Sequence, residues 1–125
     1  MLDVDVIGGD LPHARIAEAC TLAAASAGIE DGHVAVEFVD AERIVELNEQ
    51  HRGKSGPTDV LSFPVDEAGM TAGPRELGDV VICPEHTEDL LEAVVHGVLH
   101  LTGMDHERDD GEMLALQAEI VGWLR

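Results

Sequence analysis

The spacing of apolar residues along the chain alternates between the two-residue repeat of a strand and the repeat of about 3.6 residues of a helix. Leu2–Ile7 and His33–Val39 alternate apolar with polar side chains, which predicts two strands that each have one solvated face. Two more strands are predicted over Thr58–Phe63 and Leu77–Cys83, with residues 65–76 as a flexible surface loop between them. The chain is therefore predicted to build its core on a sheet.

Helices are predicted between the strands and after the last of them, each beginning at a residue that caps backbone N–H groups. The predicted caps are Asp10, Asp40, Thr87 and Asp109, the last in a capping box with Glu112. The first three helices are predicted to end at Ala27, Gln50 and Thr102. The order β-α-β-α-β-β-α-α predicts an α+β fold: helices cover a single four-stranded mixed sheet with at least one antiparallel strand pair.

Length and composition fit one packed domain spanning residues 1–125. Apolar residues make up 45% of the chain, but Phe38, Phe63 and Trp123 are its only phenylalanine and tryptophan residues, and it has no tyrosine. The core is therefore predicted to consist of aliphatic side chains.

The cysteines and the lack of membrane signals in the sequence indicate the cellular compartment of the protein. Cys20 and Cys83 have apolar neighbours and are far apart in the sequence, which predicts two buried free thiols in a reducing compartment. The sequence contains no apolar run of about 18 residues and no N-terminal basic-then-apolar signal. We therefore expect a cytoplasmic protein that does not bind membranes.

The charge of the chain restricts how it can hold an anionic ligand. Seven Lys and Arg residues against 26 Asp and Glu residues give a formal net charge of −19. Such a surface repels nucleic acids and anionic membranes at long range, so an anionic substrate requires a local basic patch. Arg52 and Lys54, the only lysine, lie within three positions of each other and are the predicted patch.

A histidine motif in the third helix predicts a metal site. His96 and His100 are four residues apart, so a helix directs both imidazoles to the same side. Gly103 can end the helix, and the chain can then return His106 as a third ligand. Three imidazoles suit one Zn²⁺ ion and leave its fourth position open to water. We predict zinc coordinated by the Nε2 atoms of these histidines.

The residues alone leave several alternatives open. The spacing of the three histidines is that of metzincin peptidases, but Gly97 stands where those enzymes carry the glutamate that acts as general base. A non-catalytic protein with structural zinc is a further alternative, for which His51 or His86 could supply a fourth ligand. Asp105 could orient a metal ligand from the outer shell, or it could cap the turn before His106.

Three blocks of the sequence resemble the YbeY-type endoribonucleases of bacteria. His96–His106 matches the H-G-x-L-H-L-x-G-x-D-H signature of that family at each fixed position. Residues 47–64, which include Arg52 and Lys54, resemble its second signature, and Leu77–Ile82 resembles a third. One departure concerns Pro84–Leu91, which is short where the family usually has an additional helical stretch, so one wall of the substrate groove is expected to be missing.

The resemblance implies a zincin-like fold with the metal site at the end of a central helix and one zinc ion per chain. It implies a zinc-dependent endoribonuclease that cleaves single-stranded RNA in the maturation of small-subunit ribosomal RNA and in ribosome quality control. Arg52 and His96 are then the expected catalytic residues, and Arg52 and Lys54 the expected substrate contacts. The implied partners are ribosomal RNA and small-subunit components, with neither DNA nor a membrane among them.

Overall fold

The computed structural model describes residues 2–65 and 75–125, without the side chain of Arg75. Most of the predicted 65–76 loop therefore lies outside the described residues. The elements in chain order are β1 (Leu2–Ile7), α1 (His13–Ser26), β2 (Gly32–Phe38), α2 (Ala41–Arg52), β3 (Val60–Pro64), β4 (Arg75–Ile82), a 3₁₀ turn (Pro84–His86), α3 (Leu90–Leu101) and α4 (Glu112–Leu124). The predicted order of strands and helices is confirmed, with the 3₁₀ turn as an addition.

The four strands form one mixed sheet in the order β1-β2-β4-β3. β1, β2 and β4 are parallel to one another, and β3 pairs with β4 in the antiparallel direction at the edge of the sheet. The predicted mixed sheet is therefore confirmed. β4 begins two residues earlier than predicted, because Arg75 and Glu76 pair with Gly32 and His33 of β2.

Helices cover the two faces of the sheet unequally. The main core lies between the sheet and α1, α3 and α4, and a smaller cluster under α2 contains Ile44, Leu47 and Leu61. α3 packs against α1, α4, β3 and β4, which makes it the central helix. The hydrophobic residues buried in the described parts of the chain include no phenylalanine or tryptophan, and both cysteines are buried and free. The predicted aliphatic core is thus confirmed. Within these parts, none of the helices has the length and hydrophobicity needed to cross a bilayer.

The predicted helix caps at Asp10 and Thr87 are wrong, and at Thr87 the reason is that α3 begins only at Leu90. The hydroxyl of Thr87 donates to the carbonyl oxygen of Cys83 at 2.7 Å, and Asp89 caps α3 instead by accepting from the Glu92 N–H. α1 has no side-chain cap: its N-cap residue is Pro12, with φ of −58° and an extended ψ of 137°, and the helix starts at His13.

Asp40 caps α2 as expected, but the predicted capping box of Asp109 with Glu112 is wrong, because Gly111 is the N-cap of α4 and the Glu112 carboxylate accepts from the Asp110 N–H. The Asp40 carboxylate accepts from the Arg43 N–H at 2.8 Å. The Asp109 carboxylate accepts from the N–H groups of Gly111 and Met113 just before and within α4. α2 runs past its predicted end at Gln50 because Gly53 supplies the left-handed residue, with φ of 65°, that ends it.

His33 joins three parallel strands on the sheet face opposite the main core. Its Nδ1 lies 2.7 Å from a carboxylate oxygen of Glu76 on β4, and its Nε2 lies 2.7 Å from Oδ2 of Asp5 on β1. Hydrogen bonds to Glu76 and then to Asp5 raise the pKa of His33 above its ordinary value. Only the protonated ring can donate from both nitrogens, so the charged form makes both contacts in full.

Gly97 allows α3 to lie close to the sheet. A Cβ atom at this position would be 2.4 Å from Cγ1 of Val80 and 3.3 Å from Oγ of Ser62. The Ser62 hydroxyl donates to the carbonyl oxygen of Gly97 at 2.9 Å. A glycine at this position therefore has a packing reason that is independent of any chemistry at the site.

We expect Gly97→Ala to lower the free energy of unfolding by about 1–3 kcal/mol, because the added methyl group overpacks against the stiff, buried Val80 side chain. Gly122→Ala is the matched control: Gly122 lies in α4, and a Cβ there would meet no atom within 4 Å. Because alanine favours the helix, this control should raise stability by up to about 1 kcal/mol. Denaturant unfolding of both variants measures the difference, and equal effects would contradict the packing argument.

Candidate metal centre

Three histidines meet where α3 ends. His96 and His100 lie on successive turns of α3, and Gly103, with φ of 104°, follows the end of the helix. The chain then returns His106 to the same place. One ligand atom from each histidine lies within 4.8 Å of the other two, so the group could hold a metal ion. The structure thus brings together the three residues that the sequence motif singled out.

Hydrogen bonds to the far side of two rings determine which nitrogen faces the centre. Nδ1 of His96 lies 2.7 Å from Oε1 of Gln117, and Nδ1 of His100 lies 3.0 Å from the carbonyl oxygen of Met104. Since both partners accept, each Nδ1 carries the proton and each Nε2 presents a lone pair. The two Nε2 atoms are 3.2 Å apart. Two facing lone pairs at this distance repel unless a cation lies between them, so the donor set fits a metal.

The surroundings of His100 favour its neutral form. Burial lowers the pKa of His100 below its ordinary value, and repulsion by a charged His96 lowers it further. An imidazole must lose its proton before it can bind a metal ion. His100 is therefore ready to act as a ligand at neutral pH.

Asp105 makes its described contacts within the turn that carries His106. Its Oδ1 accepts from the Glu107 N–H at 2.9 Å, and its Oδ2 lies 3.4 Å from Nε of Arg108. The Asp105 carbonyl oxygen also accepts from the N–H groups of Arg108 and Asp109. These contacts fit the turn-capping role, and the outer-shell role of Asp105 stays a prediction.

A cleft of 670 Å³ surrounds the histidines. It is lined by His51 and Arg52 of the last turn of α2, by residues 58–63, by the two α3 histidines and by residues 103–107. The sequence placed Arg52 in a loop, but it belongs to the helix because α2 continues to Gly53. Lys54 is exposed and does not line the cleft, so its contact with a substrate stays a prediction.

Comparison with known proteins agrees with these features. The family model described as Endoribonuclease YbeY matches residues 12–125. The chain belongs to the YbeY family. It is 40% identical over 129 residues to Endoribonuclease YbeY of Bacillus cytotoxicus, in an alignment that covers 86% of this chain and 83% of that protein. With Endoribonuclease YbeY of Rubrobacter xylanophilus it shares 40% identity over 126 residues, covering 94% and 89%.

The resemblance drawn from three sequence blocks is thereby confirmed, and a solved structure supports the fold. The chain is similar to the solution structure of TM1509 from Thermotoga maritima, with a TM-score of 0.59 and 32% sequence identity. That likeness covers 99% of this chain and 89% of the other.

Gln117 is the residue of this YbeY family member that the sequence analysis missed. It lies on α4 among Met113, Ile120 and Leu124, which are buried at helical spacing. A polar side chain within such an apolar stripe needs a buried partner, and that irregularity was the available signal. The partner, His96, lies on a different helix, so sequence spacing could not identify it.

We expect Gln117→Leu to weaken metal binding at the three histidines about 10–100-fold, with zinc as the probe, because the leucine cannot accept from Nδ1 of His96 and leaves that ring without an orienting contact. Gln117→Glu should restore the acceptor and keep the affinity close to that of the wild type. Competition with a zinc chelator measures the affinity without reference to catalysis. Wild-type affinity in Gln117→Leu would show that the contact does not orient the ligand.

Proposed function

We propose that the chain is a zinc-dependent endoribonuclease that cleaves single-stranded RNA during maturation of small-subunit ribosomal RNA and in ribosome quality control. The observation that carries the proposal is the convergence of three imidazoles in a cleft that also contains Arg52. RNA as the substrate follows from the names of the relatives. Single-strand preference and the ribosomal partners follow from the resemblance of the three sequence blocks to the family.

In the proposed reaction His96, His100 and His106 would hold the ion. A bound zinc ion supplies a Lewis acid that brings the pKa of coordinated water to about 7. Arg52 donates two hydrogen bonds from its planar guanidinium group to the oxygens of a phosphodiester. Its fixed positive charge then stabilises the negative charge that develops as the phosphate is attacked.

The surroundings of the histidines argue against peptide hydrolysis. At Gly97 the contact with Val80 leaves no room for the glutamate that metzincins use as general base. Extended peptides also commonly bind by adding a strand to an open sheet edge. On the edge strand β3 the Asp59 carboxylate already accepts from the Val60 N–H at 2.9 Å, and Pro64 has no N–H to offer. A peptide backbone would find few free partners there.

The arrangement also favours catalytic over structural zinc. Within residues 2–65 and 75–125, the group of converging ligand atoms contains the three histidines and no fourth residue. Of the two candidates for a fourth ligand, His51 instead packs its ring against Phe63, and His86 is exposed on the 3₁₀ turn. Structural zinc normally has four protein ligands, so three ligands support an open position.

The test of the proposed function uses zinc-loaded protein and one RNA sequence in single-stranded and duplex form. We expect cleavage of the single strand, weak cleavage of the duplex and no digestion of a peptide library. Digestion of peptides without cleavage of RNA would favour the peptidase alternative. Zinc binding without either activity would favour a non-catalytic assembly factor.

Because the net charge is −19, we expect RNA affinity to depend only weakly on salt. Arg52 is the only lysine or arginine among the described residues that line the cleft. With so few cations, the slope of log affinity against log salt should correspond to about two or three phosphates. Titrations of RNA binding between low and moderate salt measure this slope. A slope equivalent to about six or more phosphates would mean that a larger basic surface holds the RNA.

A further inference from the structure

Two aromatic rings that line the cleft contact each other. The rings of His51 and Phe63 meet edge to face, with centroids 4.6 Å apart and an interplanar angle of 66°. His51 is exposed on the last turn of α2 and precedes Arg52, whereas Phe63 is half-buried on the edge strand β3. Both line the same cleft as the three histidines. The pair therefore lies beside the residue proposed to contact the phosphate.

Packing accounts for only part of this placement. Phe63 packs against the small cluster under α2, which the fully or largely buried Ile44, Leu47 and Leu61 already fill. Elsewhere the described core is aliphatic, and the chain has only one other phenylalanine. Phe63 therefore contacts the small cluster and also lines the cleft.

The charge of the chain shows what this pair can contribute. A net charge of −19, with Arg52 as the one lysine or arginine among the described lining residues, leaves little electrostatic attraction for RNA. Nucleobases are uncharged, and their stacking on aromatic side chains tolerates a negative surface. Bases within a duplex are already stacked on one another, so only an unpaired base can use such a surface.

We propose that His51 and Phe63 form a stacking subsite for an unpaired nucleobase next to the phosphate that Arg52 contacts. The inference rests on the proposed function and deepens it, because it assigns the preference for single strands to two named side chains. The subsite binds the base through its face, so it discriminates weakly among base types.

The test measures binding of two ligands to the zinc-loaded full chain before turnover, by stopped-flow mixing. One ligand is a short single-stranded RNA that contains the fluorescent base 2-aminopurine, and the other is an abasic oligonucleotide with the same number of phosphates. Removing a ring with His51→Gln or Phe63→Leu is expected to weaken RNA binding about tenfold and to remove the stacking-dependent quenching of 2-aminopurine. Neither change should alter the affinity for the abasic ligand.

Two further variants separate stacking from other roles. His51→Phe keeps a ring without its hydrogen-bonding nitrogens and is expected to bind RNA as the wild type does. His86→Gln changes an exposed histidine outside the cleft lining and should have no effect. Because His51 is exposed, its variants remain informative even if Phe63→Leu unfolds the protein.

The outcomes distinguish the subsite from the function on which it rests. Wild-type protein that neither binds nor cleaves RNA would overturn both. Wild-type cleavage together with unchanged RNA binding in His51→Gln and Phe63→Leu would overturn the subsite alone. A loss in His51→Phe as large as that in His51→Gln would also overturn it, because the imidazole nitrogens and not the ring would then bind the RNA.

Discussion

Replacing His100 by alanine is expected to remove zinc and RNA cleavage together. Loss of an outer-shell contact to a metal ligand typically costs about 10–100-fold in affinity or activity, so loss of a ligand itself should exceed a hundredfold. Alanine is the best helix former, and His100 is only half-buried in the last turn of α3. The helical content of the variant should therefore remain that of the wild type.

Metal analysis of the purified variant, circular dichroism and an RNA cleavage assay measure these three quantities. His86→Ala is the matched control, because it removes an exposed histidine from the 3₁₀ turn and should leave both zinc and activity unchanged. Full zinc content in His100→Ala would exclude the proposed ligand set. Full cleavage by a zinc-free variant would separate the metal from the reaction.

Arg52→Ala is expected to lower RNA cleavage about 10²–10³-fold while zinc content and melting temperature stay close to those of the wild type. The size of this expected decrease follows from the loss of one charged hydrogen-bond donor to the negative charge that develops in the transition state. Arg52 is exposed at the end of α2, and its side chain makes no hydrogen bond or ion pair to any of the described residues. Its truncation therefore removes little packing.

Arg43→Ala provides the comparison on the same helix. Arg43 pairs with Glu46 at 2.8 Å and is equally exposed, but it does not line the cleft. This variant should keep full activity. Arg52→Lys keeps the charge without the planar pair of donors and should recover only part of the rate. Equal cleavage by Arg52→Ala and wild type at sub-saturating RNA would remove Arg52 from the mechanism.

The features that the sequence predicted well depend on local geometry. The four-residue spacing of His96 and His100 determines their shared side of a helix, and Gly103 determines where that helix ends. The alternation of apolar and polar residues in β1 and β2 could likewise be recognised in the sequence, because successive side chains of a strand point to opposite faces of the sheet.

The features that the sequence missed depend on contacts between distant segments. The Thr87 hydroxyl lies 3.5 Å from the carbonyl oxygen of Asp59, before β3, and α3 begins only at Leu90, so Asp89 is its cap. Gln117 reaches His96 only because α4 packs against α3. The extent of β4 depended on its partner β2, to which Arg75 and Glu76 pair. A one-dimensional pattern does not report such pairings.

The surroundings of His33 and His100 shift the pKa values of these two histidines in opposite directions. His33 has a raised pKa, so its contribution to stability is complete at low pH and is lost as pH rises through that pKa. His100 has a lowered pKa, so it loses its proton at a lower pH than an ordinary histidine does. An imidazole must be deprotonated before it can bind a metal ion. Between the two shifted pKa values, a protonated His33 that joins three strands therefore coexists with a neutral His100.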